Sequence, residues 1–268
     1  MSSRSTRLSI ATWCGFRVRI FGAVCVGVGL ACAQANAARV VSLNLCTDAL
    51  LVELAPEQVT ALSPLARDAT LSPVAAAAAS LPWVRPDAEA VLRLRPDLVL
   101  AGEYGAQAAL TVLRARGVRV VQMSEPTDFA AVAREVGTVA AALGVAGRGA
   151  AMVADMRARL GSLHPGRRGR AIFWEARGYT AGPGSFADNL LRTAGFVDVG
   201  SGRVVGLEAM LMHPPDVLVT ARAPAFPSLS TDLLAHPALA HIKRMEVPPA
   251  LVTCPGPWSV GAVEILSK

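Results

Sequence analysis

No acidic residue occurs among residues 1–37, no basic run is longer than Arg167–Arg168 beyond them, and the 268-residue chain has only two tyrosines and four histidines. Each scarcity excludes something. Interspersed charge without a basic stripe removes the electrostatic footprint of a nucleic-acid binder. His164, His213, His236 and His241 are scattered, which argues against a zinc or manganese site built from converging histidines and acids. No G-x-S-x-G is present, and "GPGS" at 182–185 has neither the spacing of a dinucleotide fingerprint nor the lysine of a P-loop. It reads as a turn entering a helix. A hydrophobic fraction of 53% with 17% charged residues is too apolar for a disordered chain.

What is present begins with Arg4, Arg7, Arg17 and Arg19, then the apolar "IFGAVCVGVGLACA", then Ala35-Asn36-Ala37. A basic start, a short apolar run and an Ala-x-Ala ending predict a secretory signal over 1–37, cleaved after Ala37. The alternatives are a retained membrane anchor, for which the run is short, and a lipoprotein cut before Cys32, where Gly29 stands in place of the expected Leu. Cleavage removes four of the 26 basic residues and none of the 20 acids, lowering the formal charge from +6 to +2. Cys14, Cys25 and Cys32 leave with it, so Cys46 and Cys254 remain in a compartment where disulfides form.

Beyond the signal, buried-strand patterns alternate with helical ones. "RVVSLN" (39–44) is a strand, "TDALLVELA" a helix entered through Thr47 or Asp48, "VTAL" a strand, "PDAEAVLRLR" a helix with Pro86 in its first turn, and "DLVLA" a strand. "AQAALTVLRARG" is a helix ended by Gly117, and "VRVVQM" a strand. The order then recurs: strand "GRAIFWEA", helix "SFADNLLRTAG", helix "GLEAMLMH", strand "DVLVT", helix "STDLLAHPALA" broken at Pro237, strand "IKRMEVP". This predicts an α/β protein with two similar lobes, each with a central parallel or mixed sheet, over 38–126 and 165–268. Residues 127–164 between them place Val132, Val136, Val139 and Leu143 on one helical face, and Met152, Val153, Met156 and Leu160 on another after Gly144. A long helical connector follows, with a small opening and closing motion.

The two halves also share a written segment. "EAVLRLRPDLVLA" (89–101) and "EAMLMHPPDVLVT" (208–220) both read Glu, Ala, an apolar residue, Leu, three variable residues, Pro, Asp and an aliphatic run. With "RVVSLNLCTDALLVELA" and "AGPGSFADNLLRTAGF", these segments resemble the periplasmic substrate-binding proteins of the helical-backbone (class III) type, which serve ABC importers for cobalamin, ferric siderophores and haem. The resemblance covers nearly all of the chain after the signal. It implies a ligand cleft between the lobes, a monomer working with an ABC permease dimer in the inner membrane, no enzymatic activity, and no cofactor beyond the transported metal chelate or tetrapyrrole. It also matches Glu89 and Glu208 to the surface glutamates, one per lobe, that engage permease arginines in such proteins; the bland reading is two solvated helix residues kept by duplication.

In open α/β sheets ligands sit beyond the carboxyl ends of the strands. Trp83, Tyr104, Trp174, Tyr179 and Trp258 all fall near predicted strand ends, which predicts a flat ligand held between aromatic walls. Trp83 stands six residues before Glu89, where the cobalamin binders carry a ligand-contacting Trp, but Gly202 holds the matching place before Glu208. Arg67, Arg177 and Arg222 are loop candidates for anionic groups on the ligand. Tyr104 or Tyr179 would suit a haem iron. Cys46 and Cys254 follow the first strand of one lobe and the last of the other. Three states remain open for them: a disulfide, which would lock the lobes unless the cleft is already narrow, two inert thiols, or soft contact with a metal centre or ligand. The functional alternatives from other classes are a secreted two-lobe enzyme acting in the cleft and a chelate sensor without a permease.

Overall fold

The computed structural model describes residues 37–175, 178–221 and 236–268. Residues 1–36 of the expected signal, Arg177 and Arg222 lie outside these, as does most of "STDLLAHPALA"; its described end is a single 3-10 turn, Pro237–Leu239.

Aliphatic runs with no alternation call for strands covered on both faces, and the two central strands of each sheet are buried in this way while the edge strands are only partly covered. The first sheet contains β1 (Val40–Ser42), β2 (Val59–Ala61), β3 (Leu98–Gly102) and β4 (Val120–Met123), all parallel, in the order β2-β1-β3-β4. The second repeats it: β5 (Arg170–Trp174), β6 (Val197–Asp198), β7 (Val217–Ala221) and β8 (Lys243–Val247), parallel, in the order β6-β5-β7-β8.

In lobe one, α1 (Leu45–Leu54) follows β1, α2 (Ala75–Ala78) and α3 (Ala88–Arg93) precede β3, and α4 (Gln107–Ala115) precedes β4. The entry to α1 lies upstream of Thr47 and Asp48: the Asn44 side chain accepts from Cys46 N, so Asn44 is the cap and the helix starts at Leu45. Gly117 (φ +77) follows α4 in the left-handed region glycine supplies without steric cost.

The connector comprises two helices, α5 (Phe129–Ala142) and α6 (Ala146–Ser162), turning at Gly144 (φ +73). They pack closely, because a Cβ on Gly149 would lie 2.4 Å from Ala140 Cβ. Gln58 donates to the Leu143 carbonyl and Arg148 pairs with Glu57, which fixes the turn to lobe one. The 17 residues of α6 extend about 25 Å at 1.5 Å per residue. Near its far end Arg159 pairs with Glu264 of α9 (Val260–Leu266), after α7 (Phe186–Thr193) and α8 (Leu207–Met212) have completed lobe two. One hydrophobic cluster runs from Val40 and Leu51 through Val136 and Met156 to Leu190 and Val263, so both sheets share a core by way of the connector.

The duplicated segments are α3 with β3, and α8 with β7. In each, the residue two after the glutamate is buried, Val91 and Met210, leaving Glu89 and Glu208 exposed in the first turn. The duplicated aspartates have a matched job. Asp97 accepts from Arg39 N at 2.8 Å and Asp216 from Arg170 N at 2.7 Å, while Asp97 N and Asp216 N donate to the Arg39 and Arg170 carbonyls. Each Pro-Asp thereby clamps the start of a central strand to the start of its neighbour.

Candidate functional site

A cleft of about 520 Å³ opens at the carboxyl edge of the first sheet. Leu43 continues β1 into it, Ser63 follows β2, Glu103 and Tyr104 follow β3, and Met123 and Ser124 end β4. From beyond β8, Thr253, Cys254 and Pro255 form part of the lining. Parallel strands that end together leave such a crevice between their outgoing loops.

The edge is held by local hydrogen bonds. Gly102 lets β3 pass against α1, since a Cβ there would sit 2.7 Å from Asn44 Nδ2. Asp48, with no solvent exposure, accepts from Ser63 N at 3.1 Å and from Ser63 Oγ at 2.5 Å, pinning the loop after β2 to α1. Burial pushes its carboxyl up to about 7, against hydrogen bonds with Ser42 and Ser63 that pull it down. Gly105 (φ +79) and Ala106 (φ +54) turn the chain sharply after Tyr104, which is 68% exposed and lines the cleft.

Cys46 and Cys254 form a disulfide with Cα atoms 5.2 Å apart, and both residues line the cleft. Of the three states open from the sequence, inert thiols and metal ligation give way, because each sulfur is occupied by the other. Trp258 Nε1 donates to the Cys254 carbonyl at 2.8 Å and its ring lies against Gly256, where a Cβ would come within 2.2 Å.

The structure brings Cys46, Cys254 and Tyr104 together in the lining and leaves the other described candidates outside it. Trp83 is 47% exposed beside the cleft, bridged to Leu62 just before Ser63. Arg67 turns its guanidinium to the Leu81 carbonyl. Tyr179 pairs with Val204 in the second lobe. Trp258 is partly buried against the shared core. Trp174 corrects the expectation most sharply: 2% exposed, it packs with Met210, Leu218, Leu239 and Ile242. Its Nε1 has no acceptor among the described residues. A parallel strand is covered on both faces to its last residue, so nearness to a strand end did not put this ring in the cleft.

The expected aromatic walls are therefore aliphatic and proline-rich on the described side: Leu43, Leu45, Pro64, Leu65, Met123 and Pro126. Sequence reasoning passed over these and the acids Glu103 and Glu125. The usable signal was position, as each directly follows a strand or its flanking turn. Among the described residues no cluster of three or more His, Cys, Asp or Glu is placed to hold a metal ion, and no helix is long and apolar enough to cross a membrane.

This arrangement of two matched parallel sheets, a helical connector and a cleft at the strand ends is met by the profile of periplasmic binding proteins, which matches residues 40–244. The chain belongs to the periplasmic binding protein family. Members of this family are binding proteins and components of ABC transporters, working outside the cytoplasm. A cobalamin-binding protein of Halobacterium salinarum is 30% identical over 145 residues, covering 49% of this chain. The match spans only 39% of that relative's length. Among solved periplasmic binding proteins, a possible iron-binding protein from Staphylococcus epidermidis has a TM-score of 0.70 at 17% identity, covering 86% of this chain and 98% of its own. A periplasmic haem-binding protein from Pseudomonas aeruginosa has 0.67 at 24%, covering 86% and 91%. The periplasmic vitamin B12 binding protein of Vibrio cholerae has 0.62 at 19%, covering 87% and 96%. At these identities the likeness to the solved structures concerns the fold.

Proposed function

We propose that this periplasmic binding protein captures a metal chelate or tetrapyrrole (a ferric siderophore, a cobalamin or haem) in the cleft and hands it to an inner-membrane ABC permease dimer. It works as a monomer, exported with its signal removed after Ala37. The observation that carries this reading is the cleft itself: about 520 Å³, apolar for most of its lining, with polar groups at the strand ends to orient a ligand. The cobalamin-binding and haem-binding relatives support the ligand class. Glu89 and Glu208 serve as the permease contacts. Both are exposed on the first turn of equivalent helices, and neither is needed for the strand clamp that accounts for the aspartates of the same duplicated segment.

The test is the absorption spectrum and mass spectrum of the protein purified from its own host, followed by titration of the ligand-free protein with cyanocobalamin, haemin and a ferric siderophore. A corrin, haem or ferric-chelate band released intact supports capture. Absence of a bound chelate, together with no binding of any of the three, overturns it.

A further inference from the structure

We propose that the cleft selects chelates that are neutral or positively charged where they face the first lobe, as a corrinoid or a ferric hydroxamate can be, over chelates with peripheral carboxylates or anionic catecholates. The inference rests on the capture function proposed above and concerns the charge of its ligand.

The first-lobe wall carries charge of one sign. Glu103 follows β3 and Glu125 follows β4; both are exposed and both line the cleft. Glu103 Oε2 accepts from Glu125 N at 3.3 Å, which sets its carboxylate across the gap between the two strand ends. Neither acid forms an ion pair among the described residues. The described lining contains no Lys, Arg or His. Of the basic residues that flank the lining in sequence, Arg67, two positions beyond Leu65, gives its guanidinium to the Leu81 carbonyl, and Arg85 stands exposed next to Pro86 without itself lining the cleft. Behind the wall, burial raises the Glu135 carboxyl; a hydrogen bond with the Ser124 backbone and the positive charge of Arg134 work against this, and the negative charge of Glu103 adds to it. The corner between β3 and β4 is thus a region of negative potential in a partly apolar cleft, where charges are screened less than at an open surface. A ligand with two carboxylates placed against it meets like charge on entering. A neutral corrin amide can donate a hydrogen bond to either glutamate, and a cationic hydroxamate chelate gains attraction.

The experiment titrates the mature protein with four probes, cyanocobalamin, ferrioxamine B, haemin and a trianionic ferric tris-catecholate, at low and high salt. It repeats the titrations with Glu103→Gln/Glu125→Gln, whose exposed positions leave the fold intact by circular dichroism. The expected result is that cyanocobalamin or ferrioxamine B binds at least about tenfold tighter than both anionic probes, and that the double substitution improves binding of the anionic probes by about tenfold at low salt. Haemin or the catecholate binding more tightly than the other two, with the double variant indistinguishable from wild type, overturns the charge inference and leaves capture standing. No binding of any probe overturns the inference together with the capture function.

Discussion

Cys46, in the first turn of α1, is bonded to Cys254, 208 residues later and just ahead of the final helical segment, and the two form part of the cleft lining. The lobes are thereby joined covalently at two places, through the connector and directly at the cleft. A covalent tie beside the cleft leaves little room for the lobes to separate there.

Cys46→Ser/Cys254→Ser should lower the folding free energy by about 2 to 5 kcal/mol, the usual cost of losing a native disulfide. Urea denaturation of the oxidised protein, the reduced protein and the double variant checks this. The reduced protein should match the variant. Equal midpoints for all three would show that the thiols are free.

Trp83 and Trp174 should separate cleanly. Trp174→Ala empties a place between Met210, Leu218 and Ile242 and should cost about 3 to 5 kcal/mol. Trp83→Ala, at a half-exposed position beside the cleft, should cost under about 1 kcal/mol and act on ligand affinity instead. Denaturation and titration of both variants make the comparison. A stable Trp174→Ala with weakened binding would return that ring to the ligand site.

The duplication, the parallel sheets and the connector were legible because each leaves a local trace: unbroken aliphatic runs, a repeated Pro-Asp, a valine face at helical spacing. The cleft was less so. Sequence locates a strand end but not which way its last side chain turns, and Trp174 and Tyr104 occupy similar places in the pattern with opposite fates. Tyr104 is turned out by the Gly105-Ala106 turn, whose left-handed alanine nothing in the sequence announces. The disulfide was one of three open readings, since spacing alone cannot bring residues 208 apart within 5.2 Å. β6, two residues long, carried too little pattern to be read.

Asp48 makes stability depend on pH. Its carboxyl titrates near 7 in the folded chain and near 3.8 when exposed, so between these values the unfolded chain has released a proton that the native state still holds. Stability from this group is full below about pH 4 and declines as pH rises towards 7, by up to roughly 4 kcal/mol. Asp48→Asn keeps an acceptor for Ser63 N and removes the titration. The difference between wild type and variant, measured by urea midpoints at acid and neutral pH, isolates Asp48 from the other carboxylates. The variant should gain on the wild type as pH rises; a constant difference would mean that folding does not shift the Asp48 carboxyl.

The duplicated segment supplies the last prediction. Its aspartates are explained by the fold, since Asp97 and Asp216 each hold the start of a central strand. Its glutamates are not. Glu208 has Met212 four residues on, largely exposed, while Glu89 pairs with Arg93 at 2.9 Å with both side chains mostly in solvent. An exposed i,i+4 pair contributes only about 0.3 to 0.5 kcal/mol, so Glu89→Ala and Glu208→Ala should leave folding and ligand affinity unchanged. A glutamate that meets a permease arginine in a partly desolvated contact is different, and its removal should cost about 2 to 5 kcal/mol of docking. Uptake in cells should therefore fall for each variant and further for both, and Glu→Arg at both positions should be rescued by reversed charge on the permease. Because Glu89 must leave Arg93 to make its contact, Arg93→Ala should not weaken docking. Normal uptake by the double arginine variant at native expression would leave the glutamates as solvated helix residues, copied because the lobes are built alike.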